Sequence, residues 1–221
     1  MELDISRSQI RYFRQRLLLW GAINYRNFPW RNLTNQWHSL VVELMLQRTK
    51  AEQVEPVFSE FVQKYPTPAD YIANPSDVFE HLGLPQRNLL IKALAKRLVA
   101  EQIPHDRDKL LDLPGVGDYI ASAFRTFHIG KYDRIIDSNV VRLYGRFFGF
   151  ETNGETRRKK WFIELADKLT PKKKHREYNY ALLDFTAKIC TPNPQCNECV
   201  LQKKCKYAAK YRLLLQASPD K

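Results

Sequence analysis

Four cysteines near the end of the chain are the residues whose type and spacing most directly indicate chemistry. Cys190, Cys196, Cys199 and Cys205 are separated by five, two and five residues, so four thiolates fall within 16 residues. Four thiolates complete a tetrahedral metal site or ligate an iron–sulfur cluster. The spacing therefore predicts metal coordination, and on its own it leaves zinc and a [4Fe-4S] cluster equally open.

An aspartate and a glycine-containing turn form a second candidate site. Asp137 ends an apolar pair and precedes a helical stripe, a position typical of an ordinary helix N-cap. A carboxylate held by N–H groups at a helix start is also suited to stabilising positive charge that develops in a reaction. Upstream, Gly115 and Gly117 lie in the turn LPGVG at residues 113–117. Both would allow positive φ, and nearby N–H groups could bind phosphate, although the pattern is also common in plain turns.

The composition narrows the class of partner. The 221 residues are 44% hydrophobic, enough to bury a core, and 36 Lys+Arg against 24 Asp+Glu give a net charge of +12. This surplus favours a polyanion, with nucleic acid first and an anionic membrane surface second. The chain has no apolar run long enough to span a membrane, and its first ten residues lack an apolar signal core. We therefore expect an intracellular protein, whose clustered cysteines bind metal rather than form disulfides.

Apolar residues recur at helical spacing along most of the chain, and strand alternation is absent. The first stripe comprises Ile10, Phe13 and Leu17, and it follows an N-cap at Ser6. Proline and glycine breakers separate helices of ordinary length. Further helices are predicted over residues 36–48, 106–111 and 118–129. The fold class predicted from these patterns is all-α.

The turn and the aspartate carry a resemblance to a known family. The segment LPGVGDYIASA at residues 113–123, followed by IIDSNVVR at 135–142, resembles the helix-hairpin-helix DNA glycosylases of the endonuclease III (HhH-GPD) superfamily. The resemblance continues in order through FPWR at 28–31, ELMLQRT at 43–49, the pair GL at 83–84 and the cysteine cluster. It covers nearly the whole chain. Within the superfamily it is strongest to the archaeal thymine–guanine mismatch glycosylases, with the adenine-specific branch next.

The fold implied by this resemblance has two lobes and a C-terminal loop that holds the four-cysteine cluster. Residues 28–134 would form a six-helix domain containing the helix-hairpin-helix, and residues 1–27 with 135–221 would form a helical iron–sulfur domain. The resemblance favours a [4Fe-4S] cluster over zinc. Zinc stays an alternative, because the first gap of the cluster has five residues where relatives usually have six.

Three residues are implied to be catalytic. Asp137 would be the carboxylate beside the deoxyribose of the extruded nucleotide. Tyr119 stands where bifunctional members carry a lysine, and a phenol cannot form a Schiff base, so the enzyme would be monofunctional. Glu43 would line the base pocket; the alternative is that it lies on a solvated helix flank.

The residues expected to contact DNA lie in the hairpin, at the end of the helix predicted over 36–48, or in the loop 83–87. They are Gly115, Val116, Gly117, Gln47, Arg48, Leu84, Gln86 and Arg87. Gln47 would fill the space left by the extruded base, and the loop, one residue shorter than in relatives, would supply a second wedge. Arg48 would contact the orphaned guanine or a phosphate.

The activity implied is hydrolysis of the N-glycosidic bond of thymine or uracil mispaired with guanine, by a monomer acting on double-stranded DNA. The enzyme would be intracellular and DNA-associated, in the cytoplasm or nucleoid, with no membrane partner. One alternative is an adenine glycosylase acting on A:G or A:8-oxoguanine pairs. Against it stand Tyr119 and a chain that ends sixteen residues after Cys205, without the extra domain of adenine enzymes. The other alternative is a non-catalytic iron–sulfur DNA-binding module, which an intact Asp137 disfavours.

Overall fold

The structure, a computed structural model, describes residues 5–210, and the regular secondary structure in that range is helical. Within those residues no strand occurs, so the predicted all-α class is confirmed. None of the helices described is long and apolar enough to cross a lipid bilayer. Ten α-helices lie in this described part of the chain: α1 (Arg7–Asn24), α2 (Gln36–Met45), α3 (Ala51–Lys64), α4 (Pro68–Ala73), α5 (Arg87–Ala100), α6 (Arg107–Leu111), α7 (Asp118–Ala123), α8 (Ser138–Phe148), α9 (Lys160–Leu169) and α10 (His175–Lys188).

The chain divides into two compact units. One comprises residues 27–133, and the other combines the segment up to residue 26 with the segment from residue 134 onward. These limits lie one residue from the expected limits of 28–134. The first unit contains α2 to α7, and the second contains α1 and α8 to α10. That each unit is a domain with the role inferred from the family stays a prediction.

Helix α2 is the centre of the first unit. Asn35 caps it by accepting the N–H of His38 at 3.2 Å, and all residues from Trp37 to Met45 are buried. It packs against α3 and α7. The helix predicted over 36–48 is too long, since α2 ends at Met45 and Arg48 adopts a left-handed conformation with a φ of 63°. A residue with that φ cannot continue a right-handed helix, so residues 46–48 form a turn.

The helix-hairpin-helix begins and ends close to its predicted limits. Asp106 caps α6 by accepting the N–H groups of Asp108 and Lys109, at 3.1 and 3.3 Å. The second helix is not uniform, because α7 changes after Ala123 into a π-helical turn, Phe124–His128. There the N–H of Ile129 reaches the carbonyl of Phe124 at 3.2 Å. Such turns are rare and alter the register of the side chains that follow.

A buried aspartate fastens the hairpin helices at the end of this unit. Asp133 Oδ2 accepts from Arg107 Nη1 and from Arg125 Nε, each at 2.9 Å, and its other oxygen accepts from Ser122 Oγ at 3.2 Å. Arg107 also pairs with Asp118 at 2.8 Å. The charge of Asp133 is thereby compensated by two cations, the condition under which a carboxylate is buried.

The second unit is built on a close contact between α1 and α10. A Cβ atom added at Gly21 would lie 2.4 Å from Cβ of Ala181, so glycine is required for this approach. Ser6 is the N-cap of α1, as predicted, and it forms a capping box with Gln9. The apolar face of α8 meets α1 through aromatic rings, with the centroids of Phe13 and Phe147 4.9 Å apart. These contacts fix the position of α8, whose N-cap is Asp137.

Candidate active site and cysteine cluster

Asp137 is the N-cap of α8. Its Oδ1 accepts the N–H of Val140 at 2.7 Å, and its Oδ2 accepts from Nδ2 of Asn139 at 2.8 Å. The capping role inferred from the sequence is therefore present in the structure. Two short hydrogen bonds, one to each oxygen, hold the carboxylate in a single orientation next to the positive end of the helix dipole. A fixed anion of this kind can stabilise a cation placed beside it.

A chain of polar contacts leads from Asp137 to the first cysteine. Oδ1 of Asn139 accepts from Nη1 of Arg142 at 2.8 Å, and Arg142 donates from Nε and Nη2 to the carbonyl of Cys190, at 3.0 and 2.9 Å. Burial lowers the pKa of Arg142. Sequence reasoning gave no role to Asn139 or Arg142, although both stand in the motif at 135–142. Their role depends on a carbonyl that is 48 residues away from Arg142.

The four cysteines line one pocket in the second unit. The rest of its wall includes the apolar side chains of Leu143, Phe147 and Leu201, and the thiols are free. As they stand, no three His, Cys, Asp or Glu side chains within residues 5–210 are grouped so as to hold a metal ion. Burial raises the pKa of the Cys199 thiol to about 12 and also raises those of Cys196 and Cys205.

This donor set fits a metal centre. Charge repulsion from neighbouring cysteines adds to burial in disfavouring the thiolates. A bound cation reverses both effects, because it replaces the thiol protons and neutralises the thiolates. Arg146 contributes a further positive charge, with Nη1 at 3.6 Å from Sγ of Cys190. Four soft ligands in an apolar pocket beside an arginine suit a thiolate-bound metal.

Glu43 lies inside the first unit and not on a solvated flank, so that alternative is wrong. Its side chain is 3% exposed, and its Oε1 lies 3.0 Å from Nε2 of His128, whose side chain is 2% exposed. His128 ends the π-helical turn that packs against α2. Sequence reasoning missed this histidine, because a lone histidine in a helix carries no signal of a partner 85 residues away.

Tyr119 lies on α7, which packs against α2. Its side chain is half-buried against the core of the first unit. Part of its ring therefore belongs to the core, and part is accessible to a ligand. The structure thus brings Tyr119 and Glu43 onto neighbouring helices of one unit, while Asp137 belongs to the other unit.

The hairpin turn differs in part from its sequence-based description. Gly115 has a φ of 79°, and a Cβ atom there would lie 3.1 Å from Cδ2 of Leu44, so glycine is required. A positive φ is not adopted at Gly117, whose φ of −96° is open to any residue, so that part of the prediction is wrong. The N–H of Val116 donates to the carbonyl of Leu113 at 3.1 Å and its side chain is buried. Phosphate contact at this turn stays a prediction, and the Val116 N–H is already used.

The remaining expected DNA contacts fall into two segments of the first unit. Gln47 is half-buried and Arg48 is exposed in the turn after α2. In the loop before α5, Leu84 is half-buried against the core and Gln86 is exposed. These exposures leave the first segment and Gln86 accessible to a partner.

Arg87 does not lie where it was predicted, at a surface that could contact DNA. It is 9% exposed, and its Nη1 donates to the carbonyls of Leu44 and Gln47, at 2.5 and 3.1 Å. Burial, and secondarily the charge of Arg48, lowers its pKa. An inward-facing guanidinium is not a wedge. Arg87 instead caps the end of α2 and fastens the turn that carries Gln47 and Arg48, because the last carbonyls of a helix lack partners within it.

Replacing Arg87 with methionine is expected to lower the free energy of unfolding by about 1–3 kcal/mol, the usual cost of leaving buried carbonyls without a donor. Urea unfolding followed by circular dichroism measures this change. The matched control is Arg97→Met on the same helix, where the exposed guanidinium pairs with Glu101 at 2.9 Å. Its loss should cost less than about 0.5 kcal/mol. Equal destabilisation by the two variants would contradict the capping role.

Comparisons with known proteins agree with the resemblance found in the sequence. The family model described as HhH-GPD superfamily base excision DNA repair protein matches residues 41–168. A thymine/uracil-DNA glycosylase of Methanothermobacter thermautotrophicus is 32% identical over 94% of this chain and 98% of its own length. A thymine-DNA glycosylase of Aeropyrum pernix is 34% identical over 93% of the chain and 98% of its own length.

A solved structure supports the same assignment of the fold. The structure of a thermostable thymine-DNA glycosylase superposes with a TM-score of 0.86 at 32% identity, covering 94% of this chain and 100% of that one. Adenine DNA glycosylases also match. The protein of that name from Buchnera aphidicola subsp. Schizaphis graminum is 30% identical over 87% of the chain, and the match spans 58% of its length.

Proposed function

Because the chain belongs to the HhH-GPD superfamily of base excision DNA repair proteins, we propose that it is a monofunctional DNA glycosylase. It hydrolyses the N-glycosidic bond of thymine and uracil mispaired with guanine. The observation that carries the proposal is the carboxylate of Asp137, held by one hydrogen bond to each oxygen at the start of α8. The choice of thymine and uracil is supported by the names of the relatives that match over most of their length.

Asp137 stabilises the sugar as the base departs. Breaking the glycosidic bond develops positive charge on the deoxyribose, and a fixed anion beside it favours the transition state over the ground state. Unit charges about 4 Å apart at an effective dielectric near 20 interact by about 4 kcal/mol. Enzymes typically lower barriers by about 8 kcal/mol or more. Asp137 therefore acts together with groups that bind the departing base and orient the attacking water, for which it also serves as general base.

Glu43 and Tyr119 form the base pocket in this proposal. An extruded base needs hydrogen-bonding groups at its edge and a surface against which to pack, and a buried carboxylate and a half-buried phenol supply these. Tyr119 has no amine, so it cannot attack the sugar to form a Schiff base. Water is the nucleophile, and strand cleavage does not follow base release.

Contact with double-stranded DNA uses both hairpin and loop residues. The turn at Gly115 and Gly117 receives a phosphate, and the net charge of +12 supports sequence-independent attraction. Gln47 fills the vacated space in the stack, with Leu84 and Gln86 as candidates for the second wedge. Arg48 contacts the orphaned guanine or a phosphate. Arg87 is left out of this set, since it caps α2. The enzyme acts as a monomer.

In this proposal Cys190, Cys196, Cys199 and Cys205 would hold a [4Fe-4S] cluster in the cysteine pocket. When bound, the cluster supplies a structural cross-link rather than a redox step, and it orders a loop rich in lysine. The carbonyl of Cys190 accepts a hydrogen bond from Arg142, which also binds Asn139. These contacts connect the cysteine loop to Asp137, the N-cap of α8. Zinc is the alternative metal. A visible absorption spectrum of the purified protein separates them, because an iron–sulfur cluster is coloured and zinc is not.

Duplexes that carry one labelled mispair test the activity. We expect release of thymine from G:T and uracil from G:U, seen as strand breaks only after alkali treatment, and no release from G:A or 8-oxoguanine:A. Breaks without alkali would contradict the monofunctional assignment. Release of adenine alone would replace the proposal with the adenine glycosylase alternative. Binding of all four duplexes without release of any base would indicate a non-catalytic DNA-binding module.

A further inference from the structure

The buried pair of Glu43 and His128 joins two segments far apart in sequence. Oε1 of Glu43 lies 3.0 Å from Nε2 of His128, and the two side chains are 3% and 2% exposed. A contact of this length requires one proton between the two atoms. Either the imidazole donates Nε2–H to a carboxylate, or a carboxylic acid donates to a neutral imidazole. In both cases that proton lies between Oε1 and Nε2.

The ring of His128 lies among aromatic side chains. The ring of His128 has its centroid 6.3 Å from that of Phe124 and 6.5 Å from that of Phe127. Two other polar side chains of this unit have partners of their own: Nε2 of His38 lies 2.8 Å from the carbonyl of Tyr65, and Arg125 binds Asp133. In apolar surroundings a lone carboxyl tends to take up a proton, which would make it a hydrogen-bond donor.

We propose that His128 is a positioning residue that keeps Glu43 a hydrogen-bond acceptor toward the extruded base. Since the proton of the pair is confined between Oε1 and Nε2, the remaining oxygen of Glu43 can only accept. An acceptor matches the N3–H of thymine and uracil. It rejects bases that present a lone pair there, since two facing acceptors leave both unsatisfied. This inference rests on the proposed function. It explains the preference of the enzyme for thymine and uracil by the acceptor that Glu43 presents to their N3–H.

The test compares uracil with N3-methyluracil, each opposite guanine, in single-turnover base release. The methyl group removes the N3–H and adds bulk, and the bulk affects every variant alike. For each protein we take the rate of uracil release divided by the rate of N3-methyluracil release. This ratio in the unaltered protein, divided by the same ratio in His128→Leu, isolates the hydrogen bond in the manner of a double-mutant cycle. We expect this quotient to be about tenfold or more, the usual worth of a hydrogen bond to a charged group. Glu43→Leu, which removes the acceptor itself, should lower the ratio similarly.

His38→Leu is the matched control. It makes the same substitution at another buried histidine of this unit, one that bonds a backbone carbonyl rather than Glu43. We expect it to lower stability and leave the ratio unchanged. If His128→Leu lowers both rates by one factor, or changes neither, the proposal is overturned. Should that variant not fold, an unchanged ratio in Glu43→Leu overturns it equally.

The failure of this inference is distinguishable from that of the proposed function. An unaltered protein that releases neither thymine nor uracil from pairs with guanine would overturn the glycosylase assignment and this inference with it. An active protein whose ratio is unaffected by both variants would overturn the role of His128 alone.

Discussion

Asp137→Asn is expected to lower the single-turnover rate of base release about a thousandfold while leaving the affinity for the duplex unchanged or higher. The substitution removes the negative charge beside the sugar, and an interaction of about 4 kcal/mol corresponds to about three factors of ten in rate. Asparagine caps helices as well as aspartate does, so α8 should still begin at Ser138. Affinity should not fall, because the variant loses an anion near the DNA backbone. Quenched single-turnover assays on G:T duplexes and a binding titration measure both quantities.

Asp106→Asn is the matched control for this substitution. Asp106 is likewise the N-cap of a helix, α6, and accepts two backbone N–H groups. The change in charge and in capping chemistry is the same, so any loss caused by weakened capping would appear in both variants. We expect the control to release thymine at a rate within about twofold of the unaltered protein, as usual for a surface substitution. If Asp137→Asn also stays within that range, Asp137 is not the catalytic carboxylate.

Features determined by a few neighbouring residues could be predicted from the sequence. Ser6, Asp106 and Asp137 each accept an N–H group three residues further on, so the signal for the start of a helix lies within four residues. The all-α class follows from apolar spacing for a similar reason. The requirement for glycine at residue 115 also comes from the local φ, and the same reasoning failed at Gly117, whose φ is ordinary.

Features determined by distant partners could not be predicted. Arg87 was expected at the DNA because it lies in the loop 83–87, which was predicted to supply a second wedge. It turns inward because the carbonyl of Leu44, 43 residues earlier, lies at the end of α2 without a partner in the helix. The turn after Met45 has a related origin, since the same guanidinium also donates to the carbonyl of Gln47, 40 residues earlier. Nothing in residues 43–49 alone indicates either feature.

The candidate site shows the same division. The motif at 135–142 identified Asp137 as a cap and a candidate acid, and the structure adds Asn139 and Arg142 behind it. Glu43 came from the resemblance, and its partner His128 came only from the structure. The roles of these residues in base release remain predictions, because they depend on contacts with an extruded nucleotide.

The other large effect is expected from Cys199→Ser, which removes one of the four thiolates from the pocket. Serine is a poor ligand for the soft metals that cysteine binds. Structural metal sites contribute folding free energy directly, and a loss of about 3 kcal/mol lowers Tm by roughly 6–12 °C in a chain of this size. We expect at least that shift by differential scanning calorimetry, together with loss of most of the bound metal measured by elemental analysis.

The matched control is Asn197→Ser, which introduces the same residue at an exposed position of the same loop. It should retain the metal and the Tm, because Asn197 offers no ligand that these metals prefer. An unchanged Tm and metal content in Cys199→Ser would contradict the metal site itself. The metal found in the unaltered protein decides between the two candidate metal centres. Iron together with visible absorption supports the [4Fe-4S] cluster, and zinc in a colourless protein supports a zinc site instead.

The activity of Cys199→Ser tests whether the cysteine cluster influences the orientation of Asp137. Arg142 donates to the carbonyl of Cys190 and holds Asn139, which in turn holds Asp137. If metal binding orders this carbonyl, its loss should slow base release even at temperatures well below the lowered Tm, where the helices remain folded. Arg142→Met should reproduce the slower release while retaining the metal. A Cys199→Ser variant that is unstable but fully active at low temperature would instead limit the cysteine cluster to stabilising the fold, and Asp137 would owe its orientation to its N-cap contacts alone.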